Sequence, residues 1–184
     1  LFTSQFSQSN TSQQQRGFTL VELMVALVIF GILVGAGVPA LQGLLNTMAS
    51  RTNADQLATA LSFARQAAVS RGQTVSICAS TNSNTCSGGN NDWDQGWIIF
   101  VNLDADLFVD NPGDERLRAI DLSASNGLSA SDTAVVHFNS RGENINDAFT
   151  FYVCGADSNT KAARIIQVGN SGTVSTRSAS KCSS

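Results

Sequence analysis

The chain has 184 residues, of which 14% are charged and 42% hydrophobic, and its formal net charge is -3. This length suits one domain with a short appendage, and a mean hydropathy of +0.02 excludes a largely disordered chain. The acidic balance argues against a strongly basic nucleic-acid binder, and four cysteines with one histidine leave little material for a metal or nucleophile site.

Residues 1–17 are mainly Ser, Thr, Gln and Asn, with Arg16 the only charge. Such a segment buries little apolar area and is assigned no fold. The chain opens on Leu1 rather than Met, so the start codon is expected upstream. At Phe18 the character reverses. Phe18 to Val38 is apolar apart from Glu22 and the small residues, and residues 23–50 contain no charge at all. A helix of ~20 apolar residues spans a bilayer core, so residues 18–45 are expected to form a single-pass helix.

Glu22 stands out within this run. A carboxylate at bilayer depth costs roughly 2.5–3.5 kcal/mol and marks a functional position. Cleavage before Phe18 would create an ammonium about one turn away, suited to neutralise a neighbour's carboxylate and so set register between packed helices. Pro39 removes a helix hydrogen bond and predicts a kink where the apolar run ends.

Beyond Pro39, Leu41, Leu44, Leu45, Met48, Leu57, Leu61, Ala64 and Ala68 recur at helical spacing, with Gly72 as the stop. The helix is therefore expected from about 18 to 71, its second half packing on a head. Short β-branched or aromatic runs then predict strands at Thr74–Ala79, Gly96–Asn102, Leu117–Leu122, Ala134–Asn139, Phe149–Cys154, Arg164–Val168 and Gly172–Thr176, in one antiparallel sheet or two. The fold class is α+β.

The junction Arg16-Gly17-Phe18-Thr19-Leu20-Val21-Glu22 resembles the signal of the type IV pilin family. This resemblance implies a pilin fold, with residues 1–17 a prepilin leader, 18–45 a transmembrane assembly helix and 46–184 the globular head. It implies cleavage between Gly17 and Phe18 by a prepilin peptidase, N-methylation of Phe18, and pairing of Glu22 with the Phe18 amine of an adjacent subunit. Ala64-Arg65-Gln66-Ala67-Ala68, Arg71-Gly72-Gln73, Val75-Ser-Ile-Cys78 and Trp93-x-x-Gly96-Trp97-Ile-Ile-Phe100 are similar to the GspH/FimT/FimU branch of minor pilins and pseudopilins.

That branch implies a minor pilin of a type IV pilus that partners other major and minor pilins. Its head faces the periplasm from the inner membrane before moving to the pilus. Inner-membrane lipid surrounds the stem beforehand. The alternatives are a type II secretion pseudopilin and a DNA-binding minor pilin for natural transformation. For DNA the candidate contacts are Arg177 and Lys181, joined in space by Arg141, Lys161 and Arg164, yet the tail has only spaced cations.

An even cysteine count in an exported head favours disulfides over zinc. Cys78–Cys86 and Cys154–Cys182 is the favoured pairing, with the crossed pairings open. The acidic stretch Asp104, Asp106, Asp110, Asp114 and Glu115 reads as a solvated loop, because Phe108 and Val109 occupy positions where a calcium loop needs a ligand and a glycine. His137 reads as a strand histidine. No cofactor, metal or enzymatic activity is expected.

Overall fold

A computed structural model describes residues 18–87, 92–104, 114–122, 128–130, 135–154 and 163–179, with backbone alone for 36–44, 46, 47, 129 and 130. The chain divides into two compact units, Leu1–Leu41 and Gln42–Ser184. Helix α1 runs over Leu20–Arg71. It stops as Gly72 signals, with the Gln73 N–H donating to the Ala68 carbonyl at 3.3 Å in a Schellman-type turn. The Pro39 kink falls outside the residues whose side chains are described.

In the second unit the strands are β1 (Val75–Ala79), β2 (Gly96–Val101), β3 (Arg116–Asp121), β4 (Leu128–Ala130), β5 (Val135–Phe138), β6 (Phe149–Val153), β7 (Arg164–Val168) and β8 (Val174–Ser178). They form two four-stranded sheets, ordered β3-β2-β1-β5 and β4-β6-β7-β8. Every described pairing is antiparallel. A short 3-10 helix, Asp92–Asp94, precedes β2.

The buried face of α1 is built mostly of alanine. Ala54, Leu57, Ala60, Leu61, Ala64, Ala67 and Ala68 recur every three or four residues and are buried. Small side chains let the helix approach the sheets closely, and both sheets join it in one core. Val75, Ile77, Trp97, Ile99 and Phe138 come from the first sheet, with Phe149, Phe151, Val153, Ile166 and Val168 from the second. Trp93 on the 3-10 helix ties the two together, edge-on to Phe151 with ring centroids 4.8 Å apart.

The two sheets are covered differently. β6 alternates buried and half-buried residues, as a sheet with one covered face should. β1 and β2 are buried at every position. The face of β1 turned from the helix carries Cys78, which packs with Ile98, Phe100, Val135 and Cys86 in a second cluster. The edge strand β3 of the same sheet is mostly exposed.

The last strand begins two residues later than expected. Gly172 has φ +74° and belongs to the β7–β8 turn, where its N–H donates to the Gly169 carbonyl at 2.8 Å. A Cβ on Gly172 would overlap the Gly142 carbonyl oxygen. Gly172→Ala should therefore lower stability by roughly 3 kcal/mol in urea denaturation of the purified protein, through strained φ and steric overlap. Gly169→Ala, in the same turn without positive φ, should cost under ~1 kcal/mol.

Candidate functional site

The start of α1 is capped from within the motif that carries Glu22. Thr19 Oγ1 accepts the Glu22 N–H at 3.3 Å, and the Thr19 carbonyl accepts the Leu23 N–H at 3.2 Å. Thr19 is thus the N-cap and Glu22 the third helical residue, the Thr-x-x-Glu spacing of a capping box. The capping role of Thr19 is legible in that four-residue spacing. Glu22 also sits in the first turn, where the helix dipole favours a carboxylate. Phe18 lies outside the helix and is 80% exposed, while Gly17 falls outside the described residues.

Past the cap, Leu20, Val21, Leu23, Met24, Val25, Leu27, Val28, Ile29, Phe30, Ile32, Leu33 and Val34 are all exposed. They surround the helix rather than lining one stripe, the pattern of a helix buried on all sides in its working state. A contiguous apolar surface on this scale marks an interaction site. Among the described residues no helix is long and apolar enough to cross a membrane.

In the head, Arg65 bonds to two turns far from it in sequence. Its Nε donates to the Gly142 carbonyl at 2.8 Å and its guanidinium to the Ser171 carbonyl at 3.2 Å. One helix residue thereby holds the turn after β5 and the turn between β7 and β8. A Cβ on Gly142 would sit 2.8 Å from Val69 Cγ2, so this turn packs directly on the side chains of α1.

His137 is 8% exposed and buried with Ser76 and Asn102. Ser76 stands directly opposite it in the β1–β5 register. Ser76 Oγ and His137 Nδ1 are 2.6 Å apart, and Asn102 Nδ2 donates to the same Oγ at 3.0 Å. The direction of the Ser76–His137 bond follows from the imidazole tautomer. Ser76 is fully buried, so these bonds satisfy polar groups inside the sheet. His137 lies in a strand, as its sequence context predicts, whereas its pairing with Ser76 has no local signal.

Two sequence families match this architecture. The family described as type II transport protein GspH matches residues 53–172. The chain belongs to the GspH family. The prokaryotic N-terminal methylation motif matches residues 12–38, which include Thr19 and Glu22. Among solved structures, two crystal forms of the type IV minor pilin FimU from Pseudomonas aeruginosa strain PAO1 share the fold. The P21 form has a TM-score of 0.54 at 23% identity over 72% of this chain and 91% of that one. The P65 form has a TM-score of 0.53 at 23% identity over 72% and 96%. No curated protein matched.

The remaining sites of this GspH-family chain can be placed on that pilin fold. Cys78 and Cys86 form a disulfide, with Cα atoms 5.6 Å apart. Cys154 is also disulfide-bonded, while its expected partner Cys182 lies outside the described residues. Of the acidic stretch, Asp114 accepts the Leu103 N–H at 3.2 Å and Glu115 pairs with Arg71 at 2.6 Å. Asp106 and Asp110 are outside the described residues. Among those described, no cluster of His, Cys, Asp or Glu is arranged to hold a metal.

Among the described residues, the candidate DNA cations Arg164 and Arg177 do not share one face. Arg164 pairs with Ser178, and Arg177 with Ile165, so the two arginines project from opposite faces of the second sheet. Arg141 is engaged by Glu143 at 2.7 Å, and Lys161 and Lys181 lie outside the described residues. Hydrogen bonds from Arg141 and then Asn139 hold the Glu143 carboxyl below its ordinary range. A lowered folded-state value means that the pair supports the turn above the usual glutamate range and stops doing so as pH falls through the lowered value. An NMR titration should place the Glu143 midpoint below the ~4.3 of a free glutamate, and Arg141→Ala should move it upward.

Proposed function

We propose that this GspH-family chain is a minor pilin of a type IV pilus, non-catalytic, entering the filament by packing its N-terminal helix among those of other major and minor pilins. The observation that carries this reading is the combination at α1: a Thr19-capped start, a lone carboxylate at Glu22 and apolar side chains exposed on every side. Each large aliphatic side chain removed from water contributes ~1.5–3 kcal/mol. Side-by-side stacking of such helices replaces in the filament the apolar burial that they give up on leaving lipid.

In this reading residues 1–17 are a leader removed by a prepilin peptidase between Gly17 and Phe18. Residues 18–45 anchor the chain in the inner membrane with the head, 46–184, in the periplasm. The Phe18 amine, N-methylated, meets the Glu22 of a neighbour. An unpaired carboxylate enclosed among aliphatic side chains is strongly unfavourable, so subunits stacked out of register are disfavoured. Polymerisation and register thus arise from one helix.

The family description also supports a second reading, a pseudopilin of a type II secretion system, which uses the same physics in a shorter fibre. Co-purification with pilus or secretion-system subunits separates the two. Mass spectrometry of assembled fibres should find a mature chain starting at methylated Phe18, and an intact leader there would overturn the processing. Glu22→Ala should cut the amount of this subunit in sheared filaments by about tenfold or more, roughly the effect of losing one charge pair of ~1.4 kcal/mol. Undiminished incorporation would remove the register role.

A further inference from the structure

The loop after β1 is ordered by hydrogen bonds in which neither disulfide sulfur takes part. Asn82 Oδ1 accepts the N–H groups of Asn84 and Thr85, each at 2.9 Å, which closes an Asx turn. Asn82 Nδ2 donates to Thr85 Oγ1 at 2.9 Å. Ser80 Oγ donates to the Thr85 carbonyl at 2.7 Å, and the Ser87 N–H donates to the Ala79 carbonyl at 2.9 Å. From β3, Arg116 Nη1 reaches the Ser83 carbonyl at 3.1 Å and Asn84 Oδ1 at 2.7 Å. Ser83 has φ +57°, a left-handed conformation that a serine keeps where its surroundings over-determine it. Residue 86 is thereby fixed through both of its neighbours, Thr85 and Ser87.

The two sulfur-bearing residues differ in access. Cys78 is fully buried and packs with Ile98, Phe100 and Val135, while Cys86 is half-buried at the rim of that cluster. Cys154 follows β6 in the other sheet and is itself disulfide-bonded. Exchange with a soluble disulfide starts from an accessible thiolate, and here accessibility singles out Cys86.

We infer that residues 80–87 are a pairing device, formed in the folded but reduced chain, that presents Cys86 as the entry thiol and Cys78 as the resolving thiol. The oxidant is a small soluble disulfide, such as oxidised glutathione. The Cys86 thiolate attacks one of its sulfurs, the glutathione S–S bond breaks, and one glutathione thiolate leaves. The Cys78 thiolate then attacks Cys86 Sγ in this mixed disulfide, and the second glutathione thiolate leaves as the Cys78–Cys86 bond forms. Two cysteine thiols are oxidised, one glutathione disulfide is reduced to two thiols, and the two cysteine protons end on the glutathione sulfurs. Because the loop already holds Cys86 against Cys78, this second step outruns attack by Cys154 or Cys182.

The test uses the full chain, reduced and held in detergent micelles. It is equilibrated with reduced and oxidised glutathione, quenched by alkylation and mapped by peptide mass spectrometry. The effective concentration of the Cys78–Cys86 pair should fall about tenfold in Asn82→Ala, a loss of ~1.4 kcal/mol. It should stay within about twofold of wild type in Asn82→Asp, which keeps the acceptor of the turn. Arg116→Ala, at the exposed start of β3, should lower it about threefold and reads the same loop from outside where Asn82→Ala does not fold. In concentrated urea the wild type and the variants should agree. On brief exposure Cys78→Ala should carry glutathione on Cys86, and Cys86→Ala should leave Cys78 about tenfold less modified. Equal effective concentrations in wild type, Asn82→Ala and Arg116→Ala overturn the inference. So does a wild-type value no higher in buffer than in urea, or glutathione found first on Cys78.

Discussion

The head depends on how closely α1 can approach two sheets at once. Alanine at positions 54, 60, 64, 67 and 68 removes the bulk that would hold the sheets apart, and Arg65 uses the space at the edge of that face. Its guanidinium satisfies carbonyls in two turns far apart in sequence. The turns in turn lie so near each other that Gly172 has no room for a side chain. Charge, backbone conformation and packing density all converge on one helix position. The second sheet is thereby fastened to the helix at its turn as well as through its apolar face.

The two ends of α1 solve opposite problems. Within the head the helix hides small side chains and exposes polar ones, so its stability comes from tertiary packing. In its first turns it exposes Leu, Val, Ile and Phe on every side, and its order there draws on the Thr19 cap and the backbone ladder. A chain built this way is complete as a head and unfinished as a stem. The polymerisation proposed above follows from that asymmetry.

The strands were legible because each is a short β-branched or aromatic run bounded by turn residues, and the helix because its period persists to Gly72. β4 was missed. Leu128-Ser-Ala130 has one large apolar residue and no alternation, and it is held by pairing with β6. The double burial of β1 and β2 was hidden for a related reason. Continuous apolar runs such as Trp97-Ile-Ile-Phe100 do not say which elements cover each face. Ser76 and His137 lie 61 positions apart, and only the β1–β5 register brings them together. At the start of α1 the Thr19–Glu22 cap is written in local spacing, whereas the strand order of the two sheets is one that no local pattern encodes.

The unequal covering of the two sheets also divides the molecule's capacity to change. Every position of β1 and β2 is enclosed, so a polar replacement there strands a group without water and natural drift is confined to near-isosteres. The outer face of the second sheet, with Thr150, Tyr152, Gln167, Ser175 and Arg177 in contact with solvent, carries no such restriction. Lineages built on this scaffold can therefore renew the outer face of the second sheet and the exposed β3 while inheriting β1, β2 and β5 almost unaltered.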